Sequence, residues 1–342
     1  MITMSRRGLL GTASAGLALL GSGVSLRAQT MSFDSGPIRA TIAGYSSRGM
    51  VSTLGEGQAA VVRAAFSGSN VVYEPGNPAG SFVAAANGER EFALESSIEI
   101  LMATRGDAPF PESYKGKFWL VTNLSPDLTR AHVYGRRKFI EDNNITSLND
   151  IRERKIPVAL GINQPGNLWA RAHVDAILAA HGMTKEDIVS WGGTLIEQNT
   201  GGTMEMMRQD RADIEITGGF VPVGSMIELN NTTPLAFVPM TEEESKDAAK
   251  RASVSVGVIR AGSYEWVTED LYTLASSHIL IAGPSATDEQ VWKFCKALDT
   301  QLDVYHGMHP ALAGVTRESI VPNVPGVPLH PAAEAYFSSR SL

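Results

Sequence analysis

The chain has 342 residues, of which 43% are hydrophobic and 19% charged, enough apolar material for two hydrophobic cores. Its formal net charge of −7 gives no electrostatic basis for binding nucleic acid or an anionic membrane surface. The one cysteine, Cys295, excludes an internal disulfide. The apolar pattern around it predicts a packed core thiol and not a nucleophile.

The N-terminal segment predicts export. Arg6 and Arg7 stand in a twin-arginine pattern, followed by a weakly apolar, glycine-rich run and a small residue at Ala28. That run, at roughly 17 residues, is short for a membrane span. We therefore expect a twin-arginine signal peptide over residues 1–28, with the Sec route as the alternative, and a periplasmic mature protein. Cleavage would remove three arginines and change the net charge from −7 to −10. No cysteine directly follows the predicted signal peptide to carry a lipid, so no stable membrane anchor is expected.

The predicted mature chain opens with a strand over residues 38–43, a loop over 44–49 and a helix over 50–66. Inside that helix, residues 55–60 match the G-x-G-x-x-A pattern of dinucleotide-binding proteins. The glycines fall within the helix and not at the strand–helix turn, and Glu56 would repel a pyrophosphate. We therefore expect no nucleotide cofactor. No metal is expected either, because His306 and His309 have metal-pair spacing without further ligands.

Two more predicted strands, residues 71–73 and 92–94, each end in a polar or glycine-containing loop. The first leads to a helix start at Ala79, Gly80 and Ser81, and the second to Glu95 and Ser96. In an open α/β sheet, ligands bind at the carboxyl ends of the strands. These loops and the loop at 44–49 therefore form one wall of a predicted site.

Residues 156–188 form the most informative strand–loop–helix unit. An apolar strand over 156–160 leads through a loop over 161–166 into a helix that begins near Asn167 and ends at Gly182. The first backbone N–H groups of such a helix lack intrahelical partners and favour an anion. Gly161 and Gly166 have P-loop spacing, but the Lys-Ser/Thr pair is absent, which excludes a nucleoside triphosphate. A carboxylate is the predicted ligand.

The second half repeats this plan. Gly201 and Gly202 precede a predicted helix over 203–209, and a strand over 213–217 runs into Gly218, Gly219 and Phe220. Strands over 235–238 and 279–282 and helices over 241–252 and 287–302 follow. The pattern predicts an α/β fold with two lobes: residues 29–130 plus 276–342 form lobe I, and residues 131–275 form lobe II. A ligand cleft is expected between them.

Six short motifs follow one another along the predicted mature chain. They comprise residues 79–81, 88–94, 147–151, 157–167, 210–219, and 309–310 with 329–331. In this order they resemble the TAXI family of TRAP-transporter solute receptors. The resemblance implies a type II periplasmic binding protein, with a mixed sheet flanked by helices in each lobe. It also implies that the protein captures a small organic acid or amino acid and delivers it to an ion-gradient-driven TRAP permease.

The chain departs from the family pattern at the predicted site. The departures introduce Arg48, Glu95 and Trp169, which puts the family's commonest ligands, glutamate and 2-oxoglutarate, in doubt. Glu95 pairs either with Arg48 or with a ligand ammonium, and we favour a simple carboxylate held by Arg48. The predicted ligand-binding residues are Tyr45, Ser46, Ser47, Arg48, Ala79, Gly80, Ser81, Glu95, Ser96, Gly166, Asn167, Leu168, Trp169, Thr217, Gly218, Gly219 and Phe220.

Two other readings stay open. The same fold could serve an ABC importer or a sensor kinase, which differs only in the partner. A periplasmic enzyme is disfavoured, because the sequence has no G-x-S-x-G elbow, no metal quartet and no assignable nucleophile–base pair. No catalytic residue is therefore predicted.

Overall fold

Strands and helices alternate along most of the chain. The computed structural model describes residues 32–45, 47 and 50–340. The predicted signal peptide lies outside this range. The strands are β1 (Arg39–Ala43), β2 (Asn70–Glu74), β3 (Phe92–Ser96), β4 (Trp119–Asn123), β5 (Thr129–Arg136), β6 (Ala159–Gly161), β7 (Thr194–Ile196), β8 (Ile214–Gly219), β9 (Leu235–Phe237), β10 (Ser255–Ile259), β11 (Leu271–Ser276) and β12 (His278–Ala282).

The helices flank these strands. They are α1 (Met50–Ala65), α2 (Pro78–Ala86), α3 (Ser97–Arg105), α4 (Arg137–Asp142), α5 (Leu148–Arg154), α6 (Leu168–Ala180), α7 (Lys185–Ser190), α8 (Thr200–Arg208), α9 (Gly224–Asn230), α10 (Glu242–Ala252), α11 (Asp288–Thr300), α12 (Leu302–His306) and α13 (Pro331–Ser339). A 3-10 turn spans Pro310–Gly314.

Within the described residues the strands form two mixed sheets. The first has the order β2-β1-β3-β12-β4, with β1, β2 and β3 parallel and β12 antiparallel to both its neighbours. The second has the order β10-β11-β5-β8-β6-β7, and β9 pairs with β5. In the second sheet β6, β7 and β8 run parallel, whereas β5 is antiparallel to β8. The predicted α/β fold with two mixed sheets is confirmed.

The chain crosses between the sheets twice. It leaves the first sheet after Asn123 in β4 and enters the second at Thr129 in β5. It returns between Ser276, the last residue of β11, and His278, the first residue of β12. Each sheet has its own apolar core: β1, β3, α1 and α11 pack in one, and β6, β8, α6 and α10 in another.

Local signals placed several helix ends correctly. Asn167 caps α6 by accepting from the Ala170 N–H, and Thr241 caps α10 by accepting from the Glu244 N–H. Two predicted starts are displaced by three residues. The strand expected over 156–160 is confined to Ala159–Gly161. The helix expected over 203–209 begins at Thr200, because the Asn199 side chain accepts from the Gly202 N–H and draws both glycines into the first turn.

No helix in the described part of the chain is long and apolar enough to cross a membrane.

Candidate functional site

A cavity of about 720 Å³ lies between the two sheets, in the usual size range of ligand pockets. Strands β6, β7 and β8 run parallel, so their carboxyl ends share one edge, and the chain enters α6, α8 and α9 from that edge. The described lining residues are Tyr45, Ser47, Met50, Val51, Thr53, Asn163, Gln164, Asn167, Trp169, Asn199, Thr200, Gly201, Thr217, Gly218, Gly219, Phe220, Pro222, Val223, Gly224, Ser225, His278 and His309.

The starts of the long helices α1, α6 and α8 meet at this cavity. Met50 opens α1, Asn167 caps α6 and Asn199 caps α8, and all three line the wall. The first turn of a helix carries a partial positive charge and N–H groups that favour an anion. None of the described lining residues is Lys, Arg, Asp or Glu. The side chains of the described wall therefore carry no formal charge at neutral pH, and the backbone at the three helix starts favours an anionic ligand.

Hydroxyl and amide groups form a connected cluster on the wall. Thr200 Oγ1 and Thr217 Oγ1 lie 2.8 Å apart. Asn163 Nδ2 donates to both oxygens, at 3.3 Å and 3.4 Å. Asn163 Oδ1 accepts from the Gln164 N–H at 3.0 Å and from Asn167 Nδ2 at 3.2 Å. This network joins the loops after β6, β7 and β8 and fixes polar groups for a ligand.

Trp169 forms an aromatic part of the wall. The residue is 5% exposed, and its ring centroid lies 4.4 Å from that of His173, one turn later in α6, with the two ring planes tilted by 47°. Gly218 makes room for it: a Cβ at position 218 would lie 2.0 Å from Trp169 Cη2. A side chain at 218 is therefore incompatible with this indole position.

Two histidines line the cavity as neutral side chains. Burial, and then His173, lower the pKa of His278 to about 3. Its Nδ1 lies 3.3 Å from the hydroxyls of Ser125 and Thr129. His309 packs against Phe220 with ring centroids 5.0 Å apart, and burial lowers the pKa of His309 as well. At neutral pH both imidazoles offer hydrogen bonds without adding charge.

Two buried carboxyl groups lie behind Tyr45. The Tyr45 hydroxyl donates to Glu99 Oε2, which also accepts from the Ser96 hydroxyl at 2.9 Å. Burial raises the pKa of Glu99, against the hydrogen bonds that Tyr45 and Ser96 donate to it. Burial, and then the neighbouring Glu99, raise the pKa of Glu95 well above its ordinary value. Both groups are thus disfavoured as anions, which suits a site that admits a negative ligand.

The structure brings about half of the predicted ligand-binding residues together. The predicted residues on the cavity wall are Tyr45, Ser47, Asn167, Trp169, Thr217, Gly218, Gly219 and Phe220. Ser46 and Arg48 lie outside the described residues, so the expected pairing of Arg48 with Glu95 stays a prediction.

The other predicted residues are not on this wall. They are Ala79, Gly80, Ser81, Glu95, Ser96, Gly166 and Leu168. The start of α2 lies away from this wall, where Asn77 accepts from the Gly80 N–H and the Ser81 hydroxyl donates to Gly44 O. Ser96 instead caps α3 with Glu99. Glu95 is fully buried, and within the described residues neither carboxyl oxygen has a hydrogen-bond partner.

Sequence reasoning missed other wall residues, which include Asn163, Asn199, Thr200, His278 and His309. A signal existed for two of them: Asn199 and Thr200 open a helix after a strand, the same pattern that identified Asn167. His278 and His309 carried no comparable signal, because they reach the cavity only through the chain's return to the first sheet.

The fold is that of type II periplasmic solute-binding proteins. MatC (Rpa3494) from Rhodopseudomonas palustris, solved with bound malate, is similar with a TM-score of 0.55 and 12% identity, over 88% of this chain and 97% of that one. PhnD1 from Prochlorococcus marinus, solved with methylphosphonate, is similar with a TM-score of 0.53 and 7% identity, over 84% of this chain and 93% of that one. The periplasmic binding protein BugD is similar with a TM-score of 0.50 and 11% identity, over 87% of this chain and 92% of that one.

The chain belongs to the NMT1-like family, whose model matches residues 54–339. No curated protein matches the sequence. At these identities the structural similarities establish the fold alone.

Proposed function

We propose that this protein is a periplasmic solute receptor that captures a small organic anion, foremost a carboxylate, and delivers it to a TRAP permease. The observation that carries the proposal is the meeting of three helix starts, α1, α6 and α8, at a cavity whose described wall has no charged side chain. Backbone N–H groups and helix dipoles then supply the anion preference. The neutral hydroxyl and amide cluster supplies orientation.

The rest of the wall fits an apolar part of the ligand. Trp169 and Phe220 are large, buried and adjacent to the polar cluster. Arg48 lies in sequence between Ser47 and Met50, both of which line the cavity. We propose that Arg48 completes the site by forming a bidentate pair with a ligand carboxylate.

We also propose that the lobes are residues 29–130 plus 276–342 and residues 131–275, as the sequence predicted. The two chain crossings lie next to these boundaries. Such crossings are where a hinge closes two lobes on a ligand.

The partner is the second part of the proposal. The six sequence motifs, which in their order along the chain resemble the TAXI family, favour a TRAP permease. An ABC importer uses the same fold, and the methylphosphonate in PhnD1 is also a small anion. Identifying whether a many-helix permease or an ATPase is encoded beside this protein separates these partners.

A thermal-shift screen tests the ligand class. Malate, succinate, aspartate, oxaloacetate and methylphosphonate should be compared, with a neutral sugar as the control. A ligand at about a hundred times its Kd adds roughly 2.7 kcal/mol of stability. Stabilisation by the carboxylates supports the proposal. Stabilisation by methylphosphonate alone would indicate a phosphonate receptor instead. No response to any of these anions would reject an anion receptor.

Titration of the Arg48→Ala variant with malate and aspartate tests the proposed arginine contact. Loss of a charge-assisted pair should weaken binding by about tenfold or more. An unchanged Kd would mean that Arg48 does not contact the ligand.

A further inference from the structure

His278 lies where the return crossing of the chain meets the cavity. It is the first residue of β12, in the first sheet, and it lines the cavity although only 1% of it is exposed. The rings of Tyr45 and Trp169, which also line the cavity, have their centroids 6.0 Å and 6.2 Å from that of His278. Trp169 stands in the first turn of α6, so the imidazole and that helix start border the same part of the cavity.

The two nitrogens of the His278 ring have different surroundings. Nδ1 lies 3.3 Å from the hydroxyl oxygen of Ser125 and 3.3 Å from that of Thr129. Both of these residues are fully buried, and neither is among the described residues that line the cavity. The ring edge that borders the cavity is therefore the opposite edge, which carries Nε2.

The Ser125 hydroxyl decides which nitrogen of His278 carries the proton. Its oxygen accepts from the backbone N–H of His278 at 3.0 Å. Within the described residues, Nδ1 is the acceptor that remains for the hydroxyl proton of Ser125. The Thr129 hydroxyl has another acceptor in Met50 Sδ at 3.2 Å and so does not decide the direction. A proton on Nδ1 would leave the buried Ser125 hydroxyl proton without an acceptor, which is costly.

The His278 ring has one proton to place. Burial, and then His173, lower the pKa of His278 to about 3, so the ring is neutral at physiological pH. In a neutral imidazole one nitrogen donates and the other accepts. With Nδ1 accepting from Ser125, the proton lies on Nε2, at the edge that borders the cavity.

We propose that His278 is a ligand-binding residue of this receptor, which donates a hydrogen bond from Nε2 to an anionic oxygen of the bound ligand. Ser125 fixes the required tautomer by donating to Nδ1. His278 belongs to a strand of the first sheet, whereas α6 packs against the second, so an anion held between them contacts both halves of the fold. This inference rests on the proposed anion-binding function and adds a neutral donor to it.

Nitrogen NMR of the histidine side chains tests the tautomer without any ligand. Long-range nitrogen–proton correlation spectra, with His278 assigned through the backbone resonances, should show Nε2 protonated and Nδ1 unprotonated at neutral pH. Saturating malate or succinate should then shift the Nε2 resonance. A proton on Nδ1 would overturn the inference whether or not a ligand binds, and so would an Nε2 resonance that does not move in the ligand-bound protein.

Two substitutions separate the roles of the ring nitrogens. The side chain of glutamine can place an amide N–H where Nε2 lies, whereas that of asparagine reaches only as far as Nδ1. Calorimetric titration with malate, succinate and aspartate should therefore give nearly wild-type affinity for His278→Gln and about tenfold weaker binding, or more, for His278→Asn.

His181→Asn is the matched control for these titrations. His181 is also buried, and its Nδ1 lies 2.7 Å from Ile177 O, but it is not among the described residues that line the cavity. The substitution removes the same atoms from the lobe that contains α6, so the affinity should equal that of the wild type. Circular dichroism checks the folding of all three variants.

The outcomes separate this inference from the proposed function. Wild-type affinity in folded His278→Asn would overturn the role of His278 and leave the anion receptor intact. Equal losses in His278→Gln and His278→Asn would indicate packing alone and would also overturn it. If neither variant folds, the tautomer of the wild type still decides. If none of the three probes binds the wild type, the proposed function fails and this inference fails with it.

Discussion

The indole Nε1 of Trp169 donates a 2.7 Å hydrogen bond to the hydroxyl of Ser276. Trp169 stands in the first turn of α6 and lines the cavity, whereas Ser276 is the last residue of β11, where the chain returns to the first sheet. This bond connects the ligand wall directly to a chain crossing. A ligand that contacts the indole is therefore linked, through this one hydrogen bond, to the segment about which we expect the lobes to move.

Trp169→Phe should destabilise the fold and weaken ligand binding. The substitution leaves the Ser276 hydroxyl, which is 1% exposed, without its donor, at a cost of about 1–3 kcal/mol. Urea unfolding and calorimetry measure the two effects. Trp266→Phe is the matched control, because the Trp266 indole nitrogen has no partner within the described residues and does not line the cavity. Equal losses in both variants would show that the Ser276 bond contributes nothing.

Gly218→Ala should disrupt the site through the Trp169 indole. The new Cβ would lie 2.0 Å from Trp169 Cη2 and 2.7 Å from the Arg130 carbonyl oxygen. Overpacking of this kind should destabilise the folded protein by about 1–3 kcal/mol. Gly224→Ala is the control: it also lines the cavity, but a Cβ there meets no described atom within 4 Å. Thermal unfolding should separate the two variants, and similar melting temperatures would contradict the described position of the indole.

Asp299 should make the C-terminal helix sensitive to acid. Burial raises its pKa, but hydrogen bonds from Arg317 and Tyr336 and the charge of Arg340 outweigh this and lower it below the ordinary value of 3.8. A lowered folded pKa stabilises the protein above pH 3.8, and that stability is lost as the pH falls through the folded value.

Asp299→Asn tests this linkage by denaturant unfolding at neutral and acidic pH. At neutral pH the variant should lose about 3 kcal/mol, because the Arg340 side chain, 6% exposed, keeps its charge without a counter-charge. The difference from wild type should shrink as the pH falls below 3.8. A pH-independent difference would exclude a contribution from the Asp299 charge.

The twin-arginine pattern predicts the export route. Replacing Arg6 and Arg7 by lysine should leave unprocessed protein in the cytoplasm, whereas the wild type should be cleaved near Gln29 and appear in the periplasm. Cell fractionation and N-terminal sequencing measure both outcomes. Normal processing of the double variant would indicate the Sec route.

Ligand should close the two lobes. The hinge is expected near residues 131–136 and 276–282, where the chain crosses between the sheets. Small-angle scattering with saturating ligand should show a smaller radius of gyration than without it. An unchanged profile at saturation would argue against a closing cleft.

The sequence by itself determined the fold class and several of the local units. The Asn167 and Thr241 caps are signals contained within a few residues, so the helix starts they define could be predicted directly. The glycines of the apparent dinucleotide motif were also placed correctly inside α1. At Asn199 the same kind of signal was present, and the two following glycines obscured it.

Only the tertiary structure decided which of these units share a wall. Thr200, Thr217 and His278 come from separate elements, and their proximity depends on strand order and on the return crossing of the chain. The sequence placed Glu95 at the site, but the fold buries it behind Tyr45 beside Glu99. Local patterns fix hydrogen bonds within one or two turns, whereas burial and the pairing of charges depend on contacts between distant segments that no single pattern contains.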